Sequence, residues 1–176
     1  MELITGNDPN LEYVDMLGSG GYGSVYKVTQ CLALTELQLK VVHNGKVIPR
    51  IRCRMLITKL FARKIIRVSD QVKKEDIENE AMALGILRIQ KNRVNIIKIF
   101  QHKWIRDGEA YVIDMELGKG TLHDYIKESR KVDGNYRLDI WNVMQQVTAG
   151  VADLHKHGII HRDLKPANSI TLLSFS

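Results

Sequence analysis

His161-Arg162-Asp163-Leu164-Lys165-Pro166-Ala167-Asn168 is the stretch on which the reading of this chain turns. It follows directly on the clearest helical pattern in the sequence. From Leu138 to Lys156, the apolar residues Ile140, Val143, Met144, Val147, Val151 and Leu154 recur at helical spacing. Gly158 stands where a helix stops, since glycine adopts the left-handed conformation that ends many helices. A carboxylate, an ammonium and an amide thus fall within eight residues on a segment leaving a helix. Asp163 can accept a proton and orient a hydroxyl, Lys165 can neutralise developing anionic charge, and the Asn168 amide oxygen can ligate a hard cation such as Mg²⁺.

Toward the N-terminus lies a second informative stretch, Gly18-Ser19-Gly20-Gly21-Tyr22-Gly23-Ser24-Val25. Glycines let backbone N–H groups approach a phosphate chain closely. A dinucleotide fingerprint would require a helix to open at these glycines. Instead, Tyr13–Leu17 and Ser24–Thr29 read as two strands of a hairpin. Alone, the motif fits a phosphate-cradling loop or an ordinary hairpin equally well.

Between these stretches, Leu37–Val42 and Lys46–Ile51 look β-like, broken by Asn44-Gly45 and Pro49. Leu60–Val68 reads as a strand. Ser69-Asp70 offers an N-cap for a helix over Val72–Gln90. Ile96–Phe100 and Ala110–Met115 read as strands with a turn at Asp107-Gly108, and Thr121 with Asp124 forms a capping box for a short helix. Strands with one helix come first and mostly helix follows, which points to an α+β fold.

The octapeptide matches the pattern H-R-D-L-x-x-x-N at every specified position. With the glycine segment, it makes the chain similar to the eukaryotic-type protein kinase family, serine/threonine branch, from about Leu11 to Asn168. The resemblance implies a small β-rich N-lobe over residues 11–117 carrying one helix, then a hinge. The first helices and catalytic loop of a helical C-lobe would follow over 118–176, with residues 1–10 as an N-terminal extension. It implies ATP and Mg²⁺ as cofactors and a protein Ser/Thr hydroxyl as acceptor, because a lysine at the Lys165 place is typical of that branch.

Further roles follow from the same resemblance. Leu17, Gly18, Gly20, Gly23 and Val25 would cover the nucleotide. Phe61-Ala62-Arg63-Lys64 resembles the V-A-I-K strand, with Ala62 against the adenine and Lys64 on the α/β-phosphates. Glu80 is the expected partner of Lys64, favoured over Glu78 because Leu84 and Leu87 place it on an inward apolar stripe. Met115 would be the gatekeeper. Glu116 and Leu117 would offer backbone groups to the adenine edge, and Gly118 and Gly120 would permit lobe movement. Asp163, Lys165 and Lys64 would be catalytic and Asn168 a metal ligand.

Two departures stand against the pattern. Val25 and Ala62 are separated by 36 residues, more than twice the family's usual interval, so an insertion is expected at about 31–58. After Asn168 the sequence reads Ser169-Ile170-Thr171-Leu172-Leu173-Ser174-Phe175-Ser176, with no D-F-G and no A-P-E. The expectation is a C-terminally truncated catalytic domain. The alternative function is a weak or inactive kinase-like module that binds nucleotide or a partner.

The bulk properties are compatible with this. At 176 residues, 44% hydrophobic and 26% charged, the chain reads as a soluble intracellular globular domain. No apolar run approaches the ~20 residues that span a bilayer. Cys31 and Cys53 have no metal-ligand spacing. The net charge of +6 gathers at Arg50, Arg52, Arg54, Lys59, Arg63, Lys64 and Arg67. That cluster lacks aromatic interleaving or a recognised nucleic-acid motif and reads as a solvated basic surface.

Overall fold

Strand-forming residues on either side of the glycines, among them Tyr13, Val14, Val25, Tyr26 and Val28, build the first hairpin. In a computed structural model, β1 (Leu11–Gly20) pairs antiparallel with β2 (Gly23–Leu39). The structure describes residues 8–39, 42–43, 46–47, 51–89, 95–129 and 140–171, with only the backbone over 33–57 and at 89. The first seven residues, Asn44-Gly45, Pro49, Arg50, the expected helix ends at Gln90 and Leu138, and residues 172–176 lie outside the described residues.

β2 pairs in turn with β5 (Ile51–Arg67), and β7 (Ala110–Met115) and β6 (Ile99–Ile105) complete a five-stranded antiparallel sheet in the order β1-β2-β5-β7-β6. The β2–β5 ladder runs from Ser24↔Ile65 to Leu39↔Ile51, with one shift between Cys31 and Ala33. Residues read as an insertion therefore extend two sheet strands into a ribbon. β3 (Val42–His43) and β4 (Lys46–Val47) pair beyond its end. Both long strands outrun the sequence expectation because each finds its partner across the ribbon, which no local pattern announces.

Helix α1 (Lys74–Ile89) packs on one face of this sheet. Its Ile77, with Ile66 of β5 and Tyr111 and Ile113 of β7, forms a buried cluster joined by Val72 and Ile99. Full burial of such side chains contributes about 1.5–3 kcal/mol each. The helix opens two residues later than expected. Ser69 instead closes a tight turn, its Oγ accepting from Val72 N–H at 3.2 Å, and Asp76 accepts from Lys73 N–H at 3.3 Å to cap the first helical turn. β6 also begins later than the expected Ile96 and runs on to Ile105. Gln101, His102 and Lys103 pair with β7 despite their polarity, after a bulge at Phe100.

Beyond β7 come β8 (Gly120–Thr121), α2 (Leu122–Ser129) and α3 (Ile140–Lys156). The Thr121–Asp124 capping box forms: Thr121 Oγ1 accepts from Asp124 N–H at 3.2 Å, and Thr121 N–H donates to Asp124 Oδ2 at 3.1 Å. α3 ends at a left-handed Gly158 (φ 71°), with Gly158 N–H donating to His155 and Ile159 N–H to Leu154. That bond pair is a Schellman stop. Gly150 of α3 lies against the Asn95 backbone so closely that a Cβ would come 2.7 Å from its oxygen. β9 (Ile170–Thr171) pairs with β8, returning the chain to the end of the β7 strand. No described helix is long and apolar enough to cross a membrane.

Candidate nucleotide and phosphoryl-transfer site

The glycine hairpin presents two kinds of glycine. Gly23 has φ 121°, and a Cβ there would meet the Ile65 carbonyl oxygen at 2.3 Å, so the fold itself demands glycine. At Gly18 and Gly20 a Cβ would meet nothing within 4 Å. No packing among the described residues explains these two, and the open space over them suits the close approach of a phosphate chain. Leu17 precedes them, exposed on β1.

Register carries this geometry inward. Gly18 lies opposite Val25, Val25 opposite Lys64, and Lys64 opposite Ile113, all on the face that α1 covers. Ala62 lies on the same face opposite Met115, which packs against the core. Lys64 Nζ donates to Glu80 Oε1 of α1 at 2.9 Å. The expected burial of this carboxylate is not found: the Glu80 side chain is 42% exposed and that of Lys64 25%. Ile77, Ala81 and Leu84 meet the core, while Glu80 stands at the margin of that stripe, where its ion pair stays wet. Nearby, His102 Nδ1 hydrogen-bonds the Tyr111 hydroxyl. Burial and then the Glu80 charge push the Tyr111 phenol up, and burial and then Arg88 push His102 down.

At the end of β7, Glu116 N–H donates to Lys98 O at 2.9 Å, and Lys98 N–H returns a bond to Glu116 Oε1 at 3.2 Å. The Glu116 N–H is therefore committed within the chain, which leaves its carbonyl as the Glu116 backbone group that could meet an adenine edge beside Leu117. Gly118 is no simple hinge glycine, since a Cβ would come 1.9 Å from Ile170 Cγ2. Gly120 pairs with Thr171 in the β8–β9 ladder.

The octapeptide after α3 folds onto itself. Lys165 Nζ donates to Asp163 Oδ2 at 2.8 Å, and Asn168 Nδ2 donates to the same oxygen at 2.8 Å and to Asp163 O at 2.8 Å. These two bonds, Lys165 first, hold the Asp163 carboxyl below the usual carboxylate range, so it stays ionised to a lower pH than an ordinary aspartate. Arg162 takes a left-handed φ of 62°, uncommon for a residue with a Cβ, and so turns Asp163 N–H onto His161 O at 2.9 Å. Pro166–Asn168 closes as a 3₁₀ turn, and Leu122 N–H donates to Ser169 O at 2.7 Å, fixing the loop to the start of α2.

With its NH₂ on Asp163, Asn168 turns Oδ1 away from that carboxylate. Among the described residues, no group of three or more His, Cys, Asp or Glu gathers as a metal cage. The donor set suits a Mg²⁺ held chiefly by phosphate oxygens and water, with one amide oxygen from the protein, and not a caged ion.

The protein kinase domain model matches residues 43–173, about three-quarters of the chain. The chain belongs to the protein kinase family. The match begins within the β2–β5 ribbon, beyond the glycine segment. The kinase chain is 28% identical to the probable serine/threonine-protein kinase iksA of Dictyostelium discoideum, over 90% of this chain and 15% of that protein. It is 31% identical to serine/threonine-protein kinase RIM15 of Saccharomyces cerevisiae, over 61% of this chain and 6% of that one. To serine/threonine-protein kinase ICK of Rattus norvegicus it is 37% identical, over 46% of this chain and 12% of the rat protein. The kinase chain thus spans 15% or less of the length of each of these relatives.

The structure brings Lys64 to Glu80, and Asp163 to Lys165 and Asn168. Sequence reading missed the Glu116–Lys98 clasp and the contact of α3 with Asn95. A glycine at Gly150, amid the apolar positions Val147, Val151 and Leu154, was the available signal for that close approach.

Proposed function

We propose that this kinase-family chain binds ATP with Mg²⁺ and serves transfer of the γ-phosphoryl group to a protein Ser or Thr hydroxyl. The observation carrying this reading is the convergence of Lys165 and Asn168 on one oxygen of an exposed, ionised Asp163. Oδ1 is then the oxygen for a substrate hydroxyl. Gly18 and Gly20 admit the phosphates, Val25, Ala62 and Met115 flank the adenine, and Lys64, steadied by Glu80, draws the α/β-phosphates. The metal, when bound through Asn168 Oδ1, supplies neutralisation of phosphate charge. Asp163 aligns the acceptor oxygen; as the new P–O bond forms and the β–γ bridging P–O bond breaks, the hydroxyl proton passes to its carboxylate. Lys165 moves from Asp163 to the phosphoryl oxygens as their charge shifts toward the acceptor.

Calorimetry with ATP–Mg²⁺ and transfer of ³²P to a generic protein substrate test the two halves separately. Lys64→Met is expected to weaken nucleotide binding roughly ten- to a hundredfold, the worth of a charge-assisted hydrogen bond. Asp163→Asn is expected to leave binding intact and slow transfer about 10²–10⁴-fold. An Asp163→Asn chain that transfers phosphate as well as the native one would sink the assignment. A second reading, nucleotide binding without transfer, is favoured by the single amide oxygen that the site offers a metal among the described residues. It predicts a calorimetric signal with no ³²P incorporation.

A further inference from the structure

The outer face of the sheet, opposite α1, carries an ion pair that the proposed chemistry does not use. Arg63 Nε donates to Asp114 Oδ1 at 2.6 Å and Arg63 Nη2 to Asp114 Oδ2 at 2.7 Å. Gln101 Nε2 adds a third bond to Asp114 Oδ2 at 2.6 Å. The pair is almost wholly buried, with side chains 4% and 2% exposed. All three residues lie in one row across the sheet: Arg63 is directly opposite Asp114, and Asp114 directly opposite Gln101.

We propose that Arg63, Asp114 and Gln101 form a register lock that positions Lys64 and Met115. A one-residue slip of β5 on β7 is already forbidden, because it would turn every apolar side chain to the wrong face. A two-residue slip keeps each residue on its face, so the apolar pattern is a weak guard against it. β5 and β7 share only six paired positions, Ala62 to Arg67, whereas β5 is tied to β2 along most of its length. A slip in either direction sets Asp114 opposite Phe61 or Ile65 and Arg63 opposite Val112 or Glu116, so the bidentate pair is lost and the buried Asp114 carboxylate no longer faces its guanidinium. Desolvated charge is tolerated only when paired and hydrogen-bonded, so the lock discriminates where the hydrophobic pattern does not.

Arg63 precedes Lys64 and Asp114 precedes Met115. A two-residue slip would move Lys64 by roughly 7 Å along β7 and part Ala62 from Met115. The lock thus fixes both ends of the nucleotide face from the opposite side of the sheet. Arg63, Asp114 and Gln101 are positioning residues; their effect on nucleotide rests on the reading of Lys64 given above, while the register itself does not.

Two double variants of the full chain test the lock. Arg63→Met/Asp114→Leu removes both charges and keeps the bulk, which avoids stranding either one. Arg63→Asp/Asp114→Arg exchanges them, and Gln101 can meet the new guanidinium through its amide oxygen. Backbone NOEs between Lys64 and Ile113 read the register directly, and calorimetry reads ATP–Mg²⁺ affinity. The apolar pair is expected to show more than one set of β5–β7 contacts and to bind ATP roughly tenfold or more weakly, as a displaced phosphate ligand should. The exchanged pair is expected to restore a single set and near-native affinity. An apolar variant with one native register and native affinity overturns the lock. If that variant does not fold, the exchanged one decides: a single native register supports the lock, and a slipped one overturns it. Native chain that holds the register yet binds no ATP overturns the nucleotide reading, and the NOEs alone then judge the lock.

Discussion

The two halves of the candidate site rest on different foundations. Lys64 stands on the packed part of the sheet: Ile66, Ile77, Tyr111 and Ile113 are buried between sheet and helix, and Val28, Ile65, Ala110 and Val112 are buried as well. Asp163 follows α3, in which only Gly150 and Leu154 are buried, while Ile140 and Met144 are exposed and Trp141 is 81% exposed. The strand that carries Lys64 is thus held by hydrophobic burial. The candidate base is held by its own loop: a left-handed Arg162, the Asn168 bridge and a two-residue ladder. A packed core fixes position against many perturbations at once, whereas a hydrogen-bonded loop fixes it through a few contacts, each separately removable.

The largest expected effect breaks the packed half. Ile77→Ala should cost about 2–5 kcal/mol of unfolding free energy in urea denaturation, as buried isoleucines do. Met144→Ala, on the exposed face of α3, should stay within about 0.5 kcal/mol of the native chain. Equal losses at the two positions would mean that α3 is covered in solution, and the contrast would fail. A smaller effect separates the two kinds of loop glycine. Gly23→Ala should cost about 1–3 kcal/mol, because it places a Cβ against the Ile65 carbonyl at a positive φ. Gly18→Ala should leave stability within about 0.5 kcal/mol and weaken only ATP–Mg²⁺ binding. A Gly18→Ala chain with unchanged affinity would show that the space over Gly18 holds no phosphate.

What was legible in the sequence was local. The glycine hairpin, the Ala110–Met115 strand, the Thr121–Asp124 box and the Gly158 stop each depend on residues a few positions apart, and each formed. Strand lengths were not legible. β2 and β5 extend because they pair with each other over the ribbon, and β6 runs through Gln101-His102-Lys103 because β7 lies beside it. The resemblance implied a glutamate partner for Lys64 and the apolar spacing of α1 favoured Glu80 over Glu78, but the exposure of Glu80 depends on how the helix sits on the sheet. The Arg63–Asp114 pair spans 51 residues of sequence and left no local trace beyond an arginine inside an otherwise strand-like run.

The smallest effect on stability, and the sharpest test of the loop half, concerns the ionisation of Asp163. Lys165 and Asn168 both donate to Oδ2 and depress its pKa below the usual carboxylate range. Because the folded value lies below the unfolded one, the associated stabilisation is present above the unfolded value and is lost as pH falls through the folded one. The group is exposed, so an ion pair of this kind adds little to the fold. Its consequence is chemical: the carboxylate stays ionised to a lower pH than an ordinary aspartate, and in that form it can accept a hydrogen bond from an acceptor hydroxyl. Lys165→Met removes the larger of the two causes. The ¹³Cγ titration midpoint of Asp163 should therefore move up toward the ordinary carboxylate range, with the urea midpoint unchanged, and Asn168→Ala should move it in the same direction by less. A midpoint that stays in place in Lys165→Met would show that Lys165 does not rest on Asp163 in solution, leaving the loop to be organised by Asn168 and Arg162 alone.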